Sequence, residues 1–143
     1  RMADAVAWRL RRAGLVARTV TVKVRFGDFR TVTRSTTLPA PIDEGPAVTR
    51  HAQALLAGLD PSPGVRLLGV TVSGLLEAAG RQLSFDDAEA PAWHEASGAI
   101  DAIRERYGTG AIGPAAAVGR DGLRVKRRGD GQWGPDDGPV PMR

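Results

Sequence analysis

Cysteine is absent from the 143 residues. Disulfides, thiolate metal sites and cysteine nucleophiles are excluded together. Histidine occurs only as His51 and His94, in separate segments without metal-ligand spacing. No run of 18 apolar residues exists, which removes a helical membrane span. No apolar stretch follows a basic start, as a secretory leader requires. A Gly-rich phosphate loop leading into Lys-Ser/Thr is missing, and so is a nucleophile elbow. The carboxylate pairs Asp43/Glu44 and Asp86/Asp87 fall in an expected helix cap and an expected linker. A two-metal site needs its carboxylates on a rigid core. We therefore expect no catalytic residue, no metal site and no cofactor in this segment. The lack of cysteine fits a cytoplasmic protein. The sequence opens at Arg1 inside a helical pattern, as a segment of a longer protein does.

What is present is basic charge, unevenly placed. Residues 1–81 hold 12 Lys/Arg against 6 Asp/Glu, net +6; residues 82–107 hold 2 against 6, net −4; residues 108–143 hold 6 against 4, net +2. A basic first unit suits a polyanionic partner. An Arg-rich composition also arises from a high-GC genome, so placement has to decide.

Placement is most informative in Thr19–Leu38, which reads TVTVKVRFGDFRTVTRSTTL. Val20, Val22, Val24 and Phe26 alternate with Thr19, Thr21, Lys23 and Arg25. Successive strand residues point to opposite faces, so this is a half-buried strand with a hydroxyl-and-cation outer face. Gly27-Asp28 signals a hairpin. A two-residue turn would pair Val24 with Thr31 and put Val32 beside Lys23. An odd loop, Gly27-Asp28-Phe29, pairs Val24 with Val32, Lys23 with Thr33, Arg25 with Thr31 and Thr21 with Ser35. Directly paired residues share a face, and only the odd loop keeps the valines together. It gathers Thr21, Lys23, Arg25, Thr31, Thr33, Ser35 and Thr37 outside. Arg34 and Thr36 then fall on the valine side.

Around this ribbon, Met2–Leu15 has a helical stripe of Ala3, Val6, Ala7, Leu10 and Ala13, stopped by Gly14. Arg11 and Arg12 lie off the stripe, open to phosphate or to solvent. Pro39-Ala40-Pro41 is expected to end the second strand. Asp43 is the expected N-cap of a helix reaching about Leu59, with His51 beside its apolar stripe. Val65–Leu75 is a third strand, apolar enough to be central or well covered. Pro91–Tyr107 is amphipathic, with Trp93, Ala96, Ile100, Ile103 and Tyr107 at helical spacing. Gly113–Val118 is ambiguous. Gly119–Arg143, rich in Gly and Pro, is expected to be a flexible tail, and its run Arg124–Arg128 is basic.

The expected fold class is α+β: a small antiparallel-rich sheet with two helices on one face, then a linker, one further helix and the tail. The boundaries are 1–76, 77–90, 91–118 and 119–143. Hydroxyls, strand N–H groups and Arg forks are what backbone phosphates require. Thr is also a good strand former, so a solvent-facing sheet, or one docked on a partner protein, satisfies the same pattern. No aromatic interleaves on the outer face, which disfavours base stacking there.

Trp8–Thr37, followed by VRLLGVTVSGL at Val65–Leu75, resembles the little-finger domain of Y-family lesion-bypass DNA polymerases, the bacterial DNA polymerase IV type. The order helix–strand–strand–helix–strand agrees across Arg1–Leu75. Asp101–Gly108 and Leu123–Pro135 look like the tails of actinobacterial members. The resemblance implies a domain that packs its sheet on duplex primer–template DNA, with Lys23, Arg25, Thr31, Thr33, Arg34, Ser35 and Thr36 as backbone contacts. It implies a monomer whose catalytic palm, with its magnesium-binding carboxylates, lies upstream. It also implies a first strand before the first helix, which is absent here. Gln82-Leu83-Ser84-Phe85 resembles the family's sliding-clamp peptide shortened by one residue, with Gln82, Leu83 and Phe85 as anchors. An extended Gln with two apolar anchors is suited to a hydrophobic pocket on a partner. A non-catalytic protein-interaction module is the alternative.

Overall fold

The computed structural model describes residues 1–78, 90–120 and 122–123. Helix α1 spans Met2–Arg12 and buries Ala3, Ala7 and Leu10. Gly14, at φ +65°, turns the chain into the sheet, a conformation that glycine adopts without a Cβ penalty. Strands β1 (Leu15–Phe26), β2 (Thr31–Ile42) and β3 (Val65–Glu77) form one antiparallel sheet in the order β2-β1-β3. Helix α2 (Gly45–Leu56) connects β2 to β3, so the connection crosses over central β1. Both helices cover the valine face. Val20 and Val22 of β1 meet Ala3 of α1, Leu38 of β2, and Val48 and Ala52 of α2, flanked by Ile42, Leu55, Leu56, Val70 and Val72. The α+β architecture with two helices on one face is as expected. Three strands form the sheet, and β3, expected to be central or well covered, is instead an edge on which Val65, Leu75 and Leu76 are exposed.

Several boundaries differ from expectation, among them the end of the first helix at Arg12, with Leu15 already in β1. Pro39 and Pro41 do not end β2, which runs on to Ile42 past an irregularity between Ala17↔Ile42 and Thr19↔Thr37. An edge strand tolerates proline where the missing N–H faces away from the ladder, and β2 is an edge. The Arg18 guanidinium donates to the Pro39 carbonyl there. Helix α2 is capped by Glu44 rather than Asp43 and stops at Leu56. Pro46 lies in its first turn, where proline's missing N–H has no helical partner to lose. Asp43 is buried, and its carbonyl accepts from Arg11 Nη1 at 2.6 Å.

Helix α3 (Ala90–Tyr107) is amphipathic, but its apolar stripe is not its buried face. Trp93, Ile103 and Tyr107 are exposed, while Ser97 and Arg104 are buried. Arg11 makes a bidentate pair with Asp101, at 2.6 and 2.9 Å. Arg104 donates to Asp4 Oδ2 at 2.8 Å and to the Ile112 carbonyl at 3.0 and 3.1 Å. Burial disfavours the Arg11 charge, but its hydrogen bond to Asp101, with Asp43 and Asp4 nearby, more than offsets this and raises its pKa. Arg11 is therefore neither a phosphate ligand nor a solvated side chain in this fold. Beyond α3, the segment read as ambiguous holds a 3-10 turn at Ala115–Ala117. At the join with the segment assigned to the tail, β4 (Val118–Gly119) pairs with β5 (Gly122–Leu123).

Candidate nucleic-acid interface

The hairpin closes through the odd loop. Phe26 N–H donates to Arg30 O at 2.9 Å, and Phe29 N–H donates to Phe26 O at 3.0 Å. Val24 faces Val32, Lys23 faces Thr33, Arg25 faces Thr31 and Thr21 faces Ser35. Strand β3 extends each pair into a row. Across β2, β1 and β3 the outer face reads Thr37–Thr19–Ser73, then Ser35–Thr21–Thr71, then Thr33–Lys23–Gly69, then Thr31–Arg25–Leu67. No position in these rows is acidic. The rows are held by cross-strand contacts of their own: Thr19 and Thr37 hydroxyls lie 3.0 Å apart, and Arg25 Nε donates to Thr31 Oγ1 at 3.3 Å. Lys23, Arg25, Thr31, Thr33, Ser35, Thr37, Thr71 and Ser73 are exposed. Gly69 carries no side chain beside Lys23, which leaves the strand backbone open to close approach.

Five of the seven candidate contacts, Lys23, Arg25, Thr31, Thr33 and Ser35, are thus brought onto one face. Arg34 and Thr36 are not. They pair with Val22 and Val20 on the helix side. Arg34 reaches the end of α2, donating to the carbonyls of Leu55 and Gly58 at 3.4 Å each. The last carbonyls of a helix lack intrahelical donors and carry the negative end of its dipole, so a guanidinium is stabilised there. Sequence reasoning missed Thr71 and Ser73. Their signal was the alternation of Val70 and Val72 with Thr71 and Ser73, the same pattern that marked β1. Gln82, Leu83 and Phe85 lie outside the described residues, as does Arg124–Arg128.

His51 is half-buried on α2, with its pKa lowered first by burial and then by Arg50. Among the described residues, no group of three or more His, Cys, Asp or Glu is placed to hold a metal ion. No described helix is long and apolar enough to cross a membrane.

Residues 1–85 match the family described as impB/mucB/samB family C-terminal domain. The chain belongs to that family. Its sheet and first two helices are the little-finger domain of a Y-family polymerase. The relatives it resembles include DNA polymerase IV of Desulfatibacillum aliphaticivorans, 40% identical over 121 residues, covering 82% of this chain and 31% of the relative. Another is DNA polymerase IV of Streptomyces coelicolor, 50% identical over 97 residues, covering 64% of this chain and 20% of the relative. A third, DNA polymerase IV of Gluconobacter oxydans, is 52% identical over 64 residues, covering 44% and 18%. The chain spans less than a third of the length of these relatives. The little-finger match covers α1 to β3 and runs on through the segment containing Gln82–Phe85.

Proposed function

We propose that this chain is the C-terminal part of an error-prone translesion DNA polymerase, and that its sheet grips duplex DNA by the backbone without sequence specificity. The observation that supports this is the outer face. Both packed helices lie on the valine side, so the four rows of the opposite face stay open, with cations and hydroxyls and no carboxylate among them. Lys23 and Arg25 supply the charge. Thr31, Thr33 and Ser35, joined by Thr71 and Ser73, supply short donors that approach a phosphate closely. None of these groups reads a base edge, so affinity falls on the phosphates and is set by released counterions. The domain tethers the polymerase core, whose palm and magnesium ions lie upstream, to the duplex as a monomer in the cytoplasm.

The test is a duplex titration across salt concentrations. Each neutralised phosphate contributes a slope of about −0.9 in log K against log salt. Lys23→Ala with Arg25→Ala should reduce the slope by about two and weaken binding to unrelated duplex sequences alike. An unchanged slope would remove the sheet face from the reading. A protein that binds no duplex at all would favour a protein-docking module instead.

The second part of the proposal is a tether to the sliding clamp through Gln82, Leu83 and Phe85. An extended peptide with a polar anchor and two apolar anchors gains its affinity by filling a pocket. Gln82→Ala with Phe85→Ala should abolish capture by the clamp in a pull-down and leave duplex affinity unchanged. Capture that survives the double substitution places the contact elsewhere.

A further inference from the structure

The hairpin tip carries an exposed aromatic ring that the sheet does not need. Phe29 has φ +67°, the left-handed region, and is 61% exposed. A three-residue hairpin loop of this kind favours glycine at that position. A bulky residue with positive φ is strained, and such strain is kept where the surroundings or a function demand the side chain. The ring is not left loose. The Arg66 guanidinium stacks over one side, 4.8 Å from the ring centroid. The exposed area therefore belongs mainly to the opposite side and the edge.

The tip is also firmly seated. Gly27 N–H donates to Gly64 O at 2.9 Å, and a Cβ on Gly27 would come within 2.6 Å of the Pro63 carbonyl oxygen. The hairpin turn and the turn entering β3 are thus joined closely. One arginine, Arg66, lies on the ring, and Arg25 stands in the last row of the outer face, whereas Arg30 lies over buried Phe26. The nearby acids are occupied locally, Asp28 accepting from Arg30 N–H and Asp60 from Ser62. An exposed ring backed by a guanidinium offers a flat face on which a base can stack.

We propose that Phe29, backed by Arg66, stacks on an unpaired nucleobase where a single strand emerges from the duplex held by the sheet. The inference rests on the duplex-binding reading, because the tip stands at the end of the row Thr31–Arg25–Leu67. It adds recognition of a base to a surface that otherwise contacts only backbone. A paired base inside a duplex offers no free face to the ring, whereas a base in an overhang does.

The experiment uses the full chain with three DNAs: a blunt duplex, the same duplex with a single-stranded overhang, and that overhang made of abasic nucleotides. The abasic overhang keeps the phosphates and removes the bases. Fluorescence anisotropy should show the base-bearing overhang bound about tenfold more tightly than the abasic one. Phe29→Gly should erase that difference and leave blunt-duplex affinity unchanged. This variant relieves the left-handed strain, so its melting temperature should equal or exceed that of the parent, which separates lost stacking from lost folding. Phe29→Trp should retain the preference. Equal binding to the two overhangs by the parent chain, or a preference that survives in Phe29→Gly, overturns the proposal. Failure of the sheet reading appears separately, as blunt-duplex binding that is absent or independent of salt.

Discussion

Phe26→Ala should lower the free energy of unfolding by about 3–5 kcal/mol, read as a fall in the urea midpoint with little change in slope. Phe26 heads the fully buried side chains and is 1% exposed. It ends the inward row of Val20, Val22 and Val24, and the Arg30 guanidinium lies 4.8 Å from its ring centroid. Removing the ring loses its transfer free energy and leaves a cavity, because the joined turns at this end of the sheet cannot close over the gap. Small domains are stable by about 5–15 kcal/mol in total, so the variant stands near the edge of folding. Phe29→Ala, three residues later, deletes an exposed ring and should change stability by less than about 0.5 kcal/mol. A Phe26→Ala protein with the parental midpoint would show that the inward row does not carry the core.

Arg104→Ala should undock α3 while sparing the sheet. The Arg104 side chain is 5% exposed and serves Asp4 and the Ile112 carbonyl, with Asp101 4.0 Å away. Truncating one member of a buried pair leaves the others desolvated and unpartnered, at a cost of about 3–5 kcal/mol. That cost is capped by the free energy holding α3 in place, since undocking returns Asp4 to water. Amide exchange in α3 should accelerate by about two orders of magnitude, as a loss of roughly 3 kcal/mol in local opening implies. Amides of β1 should keep their protection. Arg104→Lys should recover only part of the effect, because one ammonium cannot reproduce a fork that bonds a carboxylate and a carbonyl. Unchanged exchange in α3 after Arg104→Ala would show that its docking rests on other contacts. The sheet is expected to bind duplex DNA equally well in either variant, since Arg104 lies among the helices on the other side.

Much of the fold was legible in local pattern. Alternation in Thr19–Phe26 assigned the valines inward and Lys23 and Arg25 outward, because side-chain direction in a strand follows from the backbone alone. The odd loop followed from one further constraint, that paired residues share a face and the valines stay together. The same register had already set Arg34 against the valines, but its hydrogen bonds to Leu55 and Gly58 came into view only with α2 in place.

Other features have no local signature. Which strand joins β1 on its second side depends on how α2 crosses the sheet, so the contribution of Thr71 and Ser73 emerged with the strand order. The prolines of Pro39-Ala40-Pro41 end a central strand but not an edge strand, and edge position is a property of the assembled sheet. Helical periodicity locates an apolar stripe on α3 but does not say that the stripe is buried. Here the buried side is Ser97 and Arg104, paired with Asp4 across a separation of 100 residues. Phe26 and Phe29 make the contrast plain. Both are phenylalanines in one short hairpin, yet one lies in the core and the other stands out beneath Arg66. Alternation, turn length and charge are written into neighbouring residues; burial, partner and exposure follow from which distant surfaces meet when the chain packs.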